Sequence, residues 1–119
     1  MKDFKRLNVF QKIRQFNFTI YSETKNFPES ERFGITSQIR RASISIATNL
    51  AEGCGRNSNK DFARFLEIAY ASANEVECLI ILSSDLKMIS EQKSIELSGS
   101  LEEIKKMLYA FIQKLRTEN

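Results

Sequence analysis

Three cations recur at one interval: Arg56, Lys60 and Arg64 are each four residues apart, the spacing that stacks side chains on one face of a helix. They span a helix start signalled by Ser58 followed by Asp61, where unpaired backbone N–H groups and the helix dipole also favour negative charge. A phosphate fits that combination, although the same spacing also describes a solvated basic ridge. Lys2, Lys5, Arg6, Lys12 and Arg14 form a second basic cluster that could carry contact along the phosphate backbone of RNA or DNA. The nine Phe fall mostly at core spacing, so base stacking is not expected. Any nucleic-acid contact should be to backbone and shape rather than to base sequence.

A second pattern is polar. Gln38, Arg41, Ser45, Asn49, Glu52 and Arg56 step by 3, 4, 4, 3 and 4 residues, forming one stripe along one helix. One reading is a plain solvated face. The other is a helix sandwiched between neighbours, because the stripe is rich in short amides and hydroxyls and the residues between are small: Ala42, Ser43, Ala47, Thr48 and Ala51. Arg41 and Glu52 lie too far apart to pair within one helix, so burial would require partners elsewhere, with Glu75 and Glu77 as candidates.

Other chemistry is thinly supplied. With no His, the chain lacks imidazole base catalysis, Ser-His-Asp and Cys-His triads, and His-containing zinc or di-iron sites. Cys54 and Cys78 have neither Cys-x-x-Cys spacing nor a His partner, and two reduced thiols in a cytoplasmic protein are the expectation. Gly53-Cys54-Gly55 ends a helix instead of following a strand, so it is not half of a dinucleotide fingerprint. No catalytic residue, cofactor or metal is expected.

The elements that must position these residues are helical. At 119 residues, 42% hydrophobic and 28% charged, the chain suits one domain over 1–119 with one core. The net charge of +3 is unevenly spread: residues 1–60 carry eleven basic and five acidic side chains (+6), and residues 61–119 carry seven and ten (−3). No aliphatic run approaches the roughly 20 residues of a spanning helix, so no membrane role is expected. Val9, Ile13, Phe16 and Ile20 mark a helix over about 7–24, beside Phe10 and Tyr21. Ile35, Ile39, Ala42, Ile46 and Leu50 mark one over 35–53. Phe62, Leu66, Ala69, Val76 and Leu79 mark a third, ending near Leu86. The fourth, capped by Ser90, has a seam of Leu97, Leu101, Ile104, Leu108, Phe111 and Leu115. No stretch alternates like a strand. The expected fold is all-α, an antiparallel up-down-up-down four-helix bundle.

Several blocks carry a resemblance: Phe27-Pro28-Glu29, Gln38 through Ile46, Asn49-Leu50-Ala51-Glu52-Gly53, and Phe65 through Ala69 with Ser72 and Glu75. Over nearly its whole length the chain resembles the bacterial four-helix-bundle proteins encoded within intervening sequences of 23S ribosomal RNA genes. These are often labelled ribosomal proteins, and they are similar in form to the accessory variability protein of diversity-generating retroelements. Ala71 stands where the family usually has Gly, and Cys54 where Tyr or Ser is more usual. The resemblance implies a homo-oligomer, a pentameric ring, associated with nucleic acid. Gln38, Arg41, Ser45, Asn49, Glu52 and Glu75 would then form a polar network between helices or subunits. Two functions follow as expectations: a non-catalytic oligomeric accessory protein that binds nucleic-acid backbone, or a scaffold for a protein partner with no nucleic-acid role.

Overall fold

The computed structural model describes residues 2–118. Four helices carry the chain: α1 (Asn8–Thr24), α2 (Ile35–Cys54), α3 (Asn59–Asp85) and α4 (Glu91–Thr117). Short 3-10 turns at Phe4–Arg6 and Glu29–Glu31 precede α1 and α2, and there is no strand among the described residues. The bundle measures 47 × 24 × 20 Å, its long axis set by the 27-residue α3 and α4 at about 1.5 Å per residue.

The helix boundaries follow local chemistry. Ser58 Oγ accepts the Asp61 N–H at 3.1 Å to open α3, and Ser90 Oγ accepts the Lys93 N–H at 3.0 Å to open α4. α3 ends in a Schellman turn, with Met88 N–H donating to Ser83 O at 2.9 Å and Lys87 N–H to Ser84 O at 3.0 Å. Lys87 occupies the left-handed position of that turn at φ 64°, a conformation more comfortable for Gly. The end of α2 differs from expectation. Gly55 stays right-handed at φ −87°, so no left-handed glycine stops the helix. The glycine with a structural role is Gly53, inside the helix: a Cβ there would lie 2.9 Å from Phe62 Cδ1 and 3.0 Å from Phe65 Cβ. Its missing side chain is what lets α3 fold back tightly on α2.

One apolar cluster unites the helices, with Ile13 and Ile20 from α1, Ile46 and Leu50 from α2, Leu66 and Ile80 from α3, and Leu101 and Leu108 from α4. Full burial of each such side chain contributes about 1.5–3 kcal/mol. Two expected core residues sit higher. Ile35 is only half-buried, and Phe111 packs edge-on against Phe62 at 5.1 Å while Ile112 beside it is buried. The broadest packing is between α2 and α3, where Ala42, Ala69 and Ala73 permit close approach, and the slightest is between α1 and α4.

Contacts between helices define two ends. At one, Lys2 N–H donates to Cys54 O at 3.1 Å and Asn59 Nδ2 to Glu118 O at 3.1 Å. These bonds join the N-terminal segment, the α2–α3 turn and the end of α4. At the other, Lys93 near the start of α4 lies 3.8 Å from Glu23 near the end of α1, below the α1–α2 connection and the α3–α4 turn.

Candidate nucleic-acid interface

The first end gathers positive charge from three parts of the sequence. Lys2 and Arg56 line the same cleft, of about 260 Å³, with Asn57, Ser58, Asn59, Phe62, Leu115 and Glu118. Lys5 and Arg6 belong to the 3-10 turn that precedes α1, and Lys60 and Arg64 to the first turns of α3. Lys114 and Arg116 from the last turn of α4 join them, two cations that the sequence patterns did not single out. Their signal was available in principle, since basic residues concentrate in last helical turns, but nothing local said which other cations they would meet.

The geometry inside this cluster is specific. The Arg56 and Arg64 guanidinium carbons each lie 4.5 Å from the centroid of one ring, Phe65. Each Arg also reaches a carboxylate: Arg56 Nη2 is 2.9 Å from Glu52 Oε1, and Arg64 Nε is 3.5 Å from Asp61 Oδ1. Lys5 lies 3.9 Å from Asp3, and Arg116 Nη2 is 2.7 Å from Glu67 Oε2. These pairs are largely exposed, so each is worth about 0–1 kcal/mol and holds its cation only loosely. Among the described residues Lys60 makes no ion pair and Lys60 is exposed. The arrangement offers a polyanion several cations whose present partners are weak, two of them with guanidiniums packed against the Phe65 ring.

Not every predicted cation belongs to this end. Lys12 lies further along α1, 3.6 Å from Glu103 near the middle of α4, beside a cavity of about 170 Å³ between the two helices. Arg14 turns to Gln11, donating to its Oε1 at 3.0 Å, with its guanidinium 5.8 Å from the Phe10 ring.

The polar stripe of α2 lies in the groove beside α3, part sunk and part solvated. Ser45 and Ser72 hydroxyls are 2.9 Å apart, and Asn49 Nδ2 donates to both Ser45 O and Ser45 Oγ at 2.9 Å. Gln38, Arg41, Glu52 and Glu75 are exposed. Neither Arg41 nor Glu52 is a buried charge seeking a distant partner: Arg56, expected on the same helix, lies just past its end and pairs there with Glu52, and Glu77 is taken by Lys105 of α4 at 3.0 Å. Burial of Lys105 lowers its pKa, but its hydrogen bond and charge contact with Glu77 outweigh this and leave it raised above 10.5.

The thiols differ. Cys54 is buried and its pKa is raised by desolvation, whereas Cys78 is exposed on α3, and both are free. No helix among the described residues is long and apolar enough to cross a membrane.

Comparison with known proteins then bears on this geometry. The family model described as 23S rRNA-intervening sequence protein matches residues 5–110. A crystal structure of a protein of unknown function from the S23 ribosomal protein family of Bacteroides thetaiotaomicron is similar at 30% identity with a TM-score of 0.78. The similarity covers 87% of this chain and 97% of that one. No curated protein matches the chain.

Proposed function

The chain belongs to the 23S rRNA-intervening sequence protein family, and from that premise we propose that it is a non-catalytic, oligomeric accessory protein that holds RNA or DNA by the phosphate backbone. One observation carries the reading: cations from residues 2–6, 56–64 and 114–116 converge on one end of the bundle. Backbone contact by exposed Lys and Arg is insensitive to base sequence and strongly weakened by salt.

Assembly strengthens it. The order of contacts supports the antiparallel up-down-up-down arrangement, with Asn17 meeting Ser43 while Thr24, later in α1, meets Arg40, earlier in α2. On the outer side of α3, Ile68, Ala71, Glu75, Cys78 and Leu82 step by 3, 4, 3 and 4, and Ile44 and Thr48 of α2 are exposed as well. Ile44, Ile68 and Leu82 are about 40% exposed. Small Ser45, Ala71 and Ser72 near the middle leave room for another helix, and Arg41, Arg64, Glu52 and Glu75 mix the signs of charge around it. Copies of the chain meeting through this face would form the pentameric ring, repeating a weak basic end and adding avidity. The protein works in the cytoplasm on this reading, with both thiols reduced.

The test is fluorescence anisotropy of a labelled structured RNA and a DNA duplex, titrated with nuclease-treated protein at low and physiological salt. Micromolar binding that weakens steeply with salt supports the reading. Absence of binding at low salt sinks it and favours a scaffold for a protein partner. That second reading draws on Phe33 (88% exposed), Leu86 (61%) and Ile95 (65%) at the other end.

A further inference from the structure

The α1–α2 connection borders an open cleft of about 190 Å³ at the end of the bundle remote from Arg56 and Lys60, lined by Thr24, Lys25, Glu29, Arg32, Thr36 and Arg40 among others. Arg40 is half-buried there and its hydrogen-bond partners are neutral. Its Nε donates to Thr24 Oγ1 at 2.8 Å and its Nη2 to Tyr21 O at 3.3 Å, with the guanidinium carbon 4.6 Å from the Tyr21 ring centroid. Thr24 is itself locked, donating to Ile20 O at 2.7 Å. The guanidinium is therefore held in one orientation by acceptors that leave its charge uncompensated. Lys25 and Arg32 add two more cations to the cleft wall. The one carboxylate lining it, Glu29, already lies 3.5 Å from Arg32.

A second observation is independent of charge. Thr36 is only 8% exposed, and among the described residues its Oγ1 is the one buried side-chain polar atom with no hydrogen-bond partner. Thr36 is the second residue of α2, in the first turn, where the Ile35 N–H already donates to Glu31 Oε1 at 3.4 Å. A buried hydroxyl left unpaired costs about 1–3 kcal/mol, and a turn of the Thr36 side chain toward the adjoining cleft would let it donate to a ligand there.

We propose that this cleft is a phosphoryl-binding site, with Arg40 as the preset donor and the Thr36 hydroxyl, turned toward it, as a second donor. Tetrahedral phosphate oxygens can accept from these donors in several directions at once, and Lys25 and Arg32 balance the remaining charge. The phosphoryl group could be free orthophosphate or the phosphate of a nucleotide. The site shares no residue with the basic end, so either can fail without the other.

The test uses the full-length protein and orthophosphate as probe, at ionic strength held constant with chloride, followed by thermal unfolding and by amide chemical shifts. Phosphate, but not chloride, should raise Tm and shift amides of residues 24–40. Both responses should weaken at least tenfold in Arg40→Gln and in Thr36→Val. The Thr36→Val variant guards against misfolding, because replacing an unpaired buried hydroxyl leaves the fold intact while removing the donor. A nucleoside 5′-monophosphate is the second arm: equal binding assigns the site to a phosphate ester, and binding of orthophosphate alone assigns it to the free ion. No phosphate-specific response, a response unchanged in both variants, or shifts confined to Arg56, Lys60 and Arg64 would overturn the proposal.

Discussion

The two ends of the bundle use arginine in opposite ways. At the basic end the half-buried Arg56 and the exposed Arg64 share the Phe65 ring and pair with carboxylates about one turn away, Glu52 and Asp61. At the far end Arg40 is half-buried, carries no carboxylate and is fixed by a threonine hydroxyl and a backbone carbonyl. Counting charges would rank the first end as the stronger anion site. The contacts separate two capacities: many loosely held cations suit a long, salt-sensitive polyanion, while one oriented guanidinium suits a small ligand of fixed shape.

Replacing Arg56, Lys60 and Arg64 together with Ala sharpens the contrast most. Nucleic-acid affinity at low salt should fall about a hundredfold irrespective of sequence, and the slope of log Kobs against log salt should become shallower by roughly 2–3, close to 0.9 per lost phosphate contact. The orthophosphate response at Arg40 should survive; its loss would mean that the two ends are one electrostatic surface. Anisotropy and thermal unfolding of the same preparation read both.

The next largest effect concerns the joint that holds the basic end together. Gly53→Ala places a Cβ against Phe62 and Phe65, at 2.9 and 3.0 Å. Overpacking of about 1–3 kcal/mol should exceed the helix-propensity gain of about 1 kcal/mol, giving a net loss near 1 kcal/mol in urea unfolding. A more stable variant would show that the α2–α3 turn relaxes freely and does not set the spacing of Arg56 and Arg64.

At the far end the corresponding change goes the other way. Lys87 sits at φ 64° in the α3–α4 turn, so Lys87→Gly should stabilise the protein by about 0.5–1 kcal/mol. The nearby cleft between α1 and α2 should be unaffected, which the phosphate titration checks.

The smallest effect lies between the ends. The Lys105 pKa is raised in the folded protein, so the stability it contributes through Glu77 is fully present at neutral pH and is lost only as pH rises beyond 10.5 through the folded value. Unfolding free energy measured between pH 7 and 10 should show no loss from this pair, and Lys105→Met should make the decline above that range shallower, leaving the share due to Lys93 beside Glu96 and Glu23.

Much of the fold was legible because its signals are local. Ser58 and Ser90 cap the helices that their neighbours begin, and Leu97, Leu101, Ile104 and Leu108 face the core at the spacing a helix imposes. Where periodicity misplaces a core residue, the competing residues are adjacent. Phe111 and Ile112 are both apolar, and periodicity alone cannot say that the smaller one turns fully inward. The candidate site was legible in pieces: Arg56, Lys60 and Arg64 are visible as a run, whereas nothing in the spacing marks Phe65 beside them, half-buried beneath two guanidiniums.

The sequence by itself determined four helices, their caps, their apolar faces and an excess of positive charge in the first half, since each depends on interactions within a turn or two of chain. Only the tertiary structure decided which cations share a surface. Lys2 meets Cys54 and Asn59 meets Glu118 across 52 and 59 residues of chain, and Lys12 is drawn away to Glu103. It also decided between two neighbouring arginines. Arg41 fits the polar stripe and points to solvent, whereas Arg40, one residue earlier, turns toward α1 and the Thr24 hydroxyl. One residue of α-helix is a rotation of about 100°, and what that rotation faces is fixed by the packing of the other helices rather than by anything in α2.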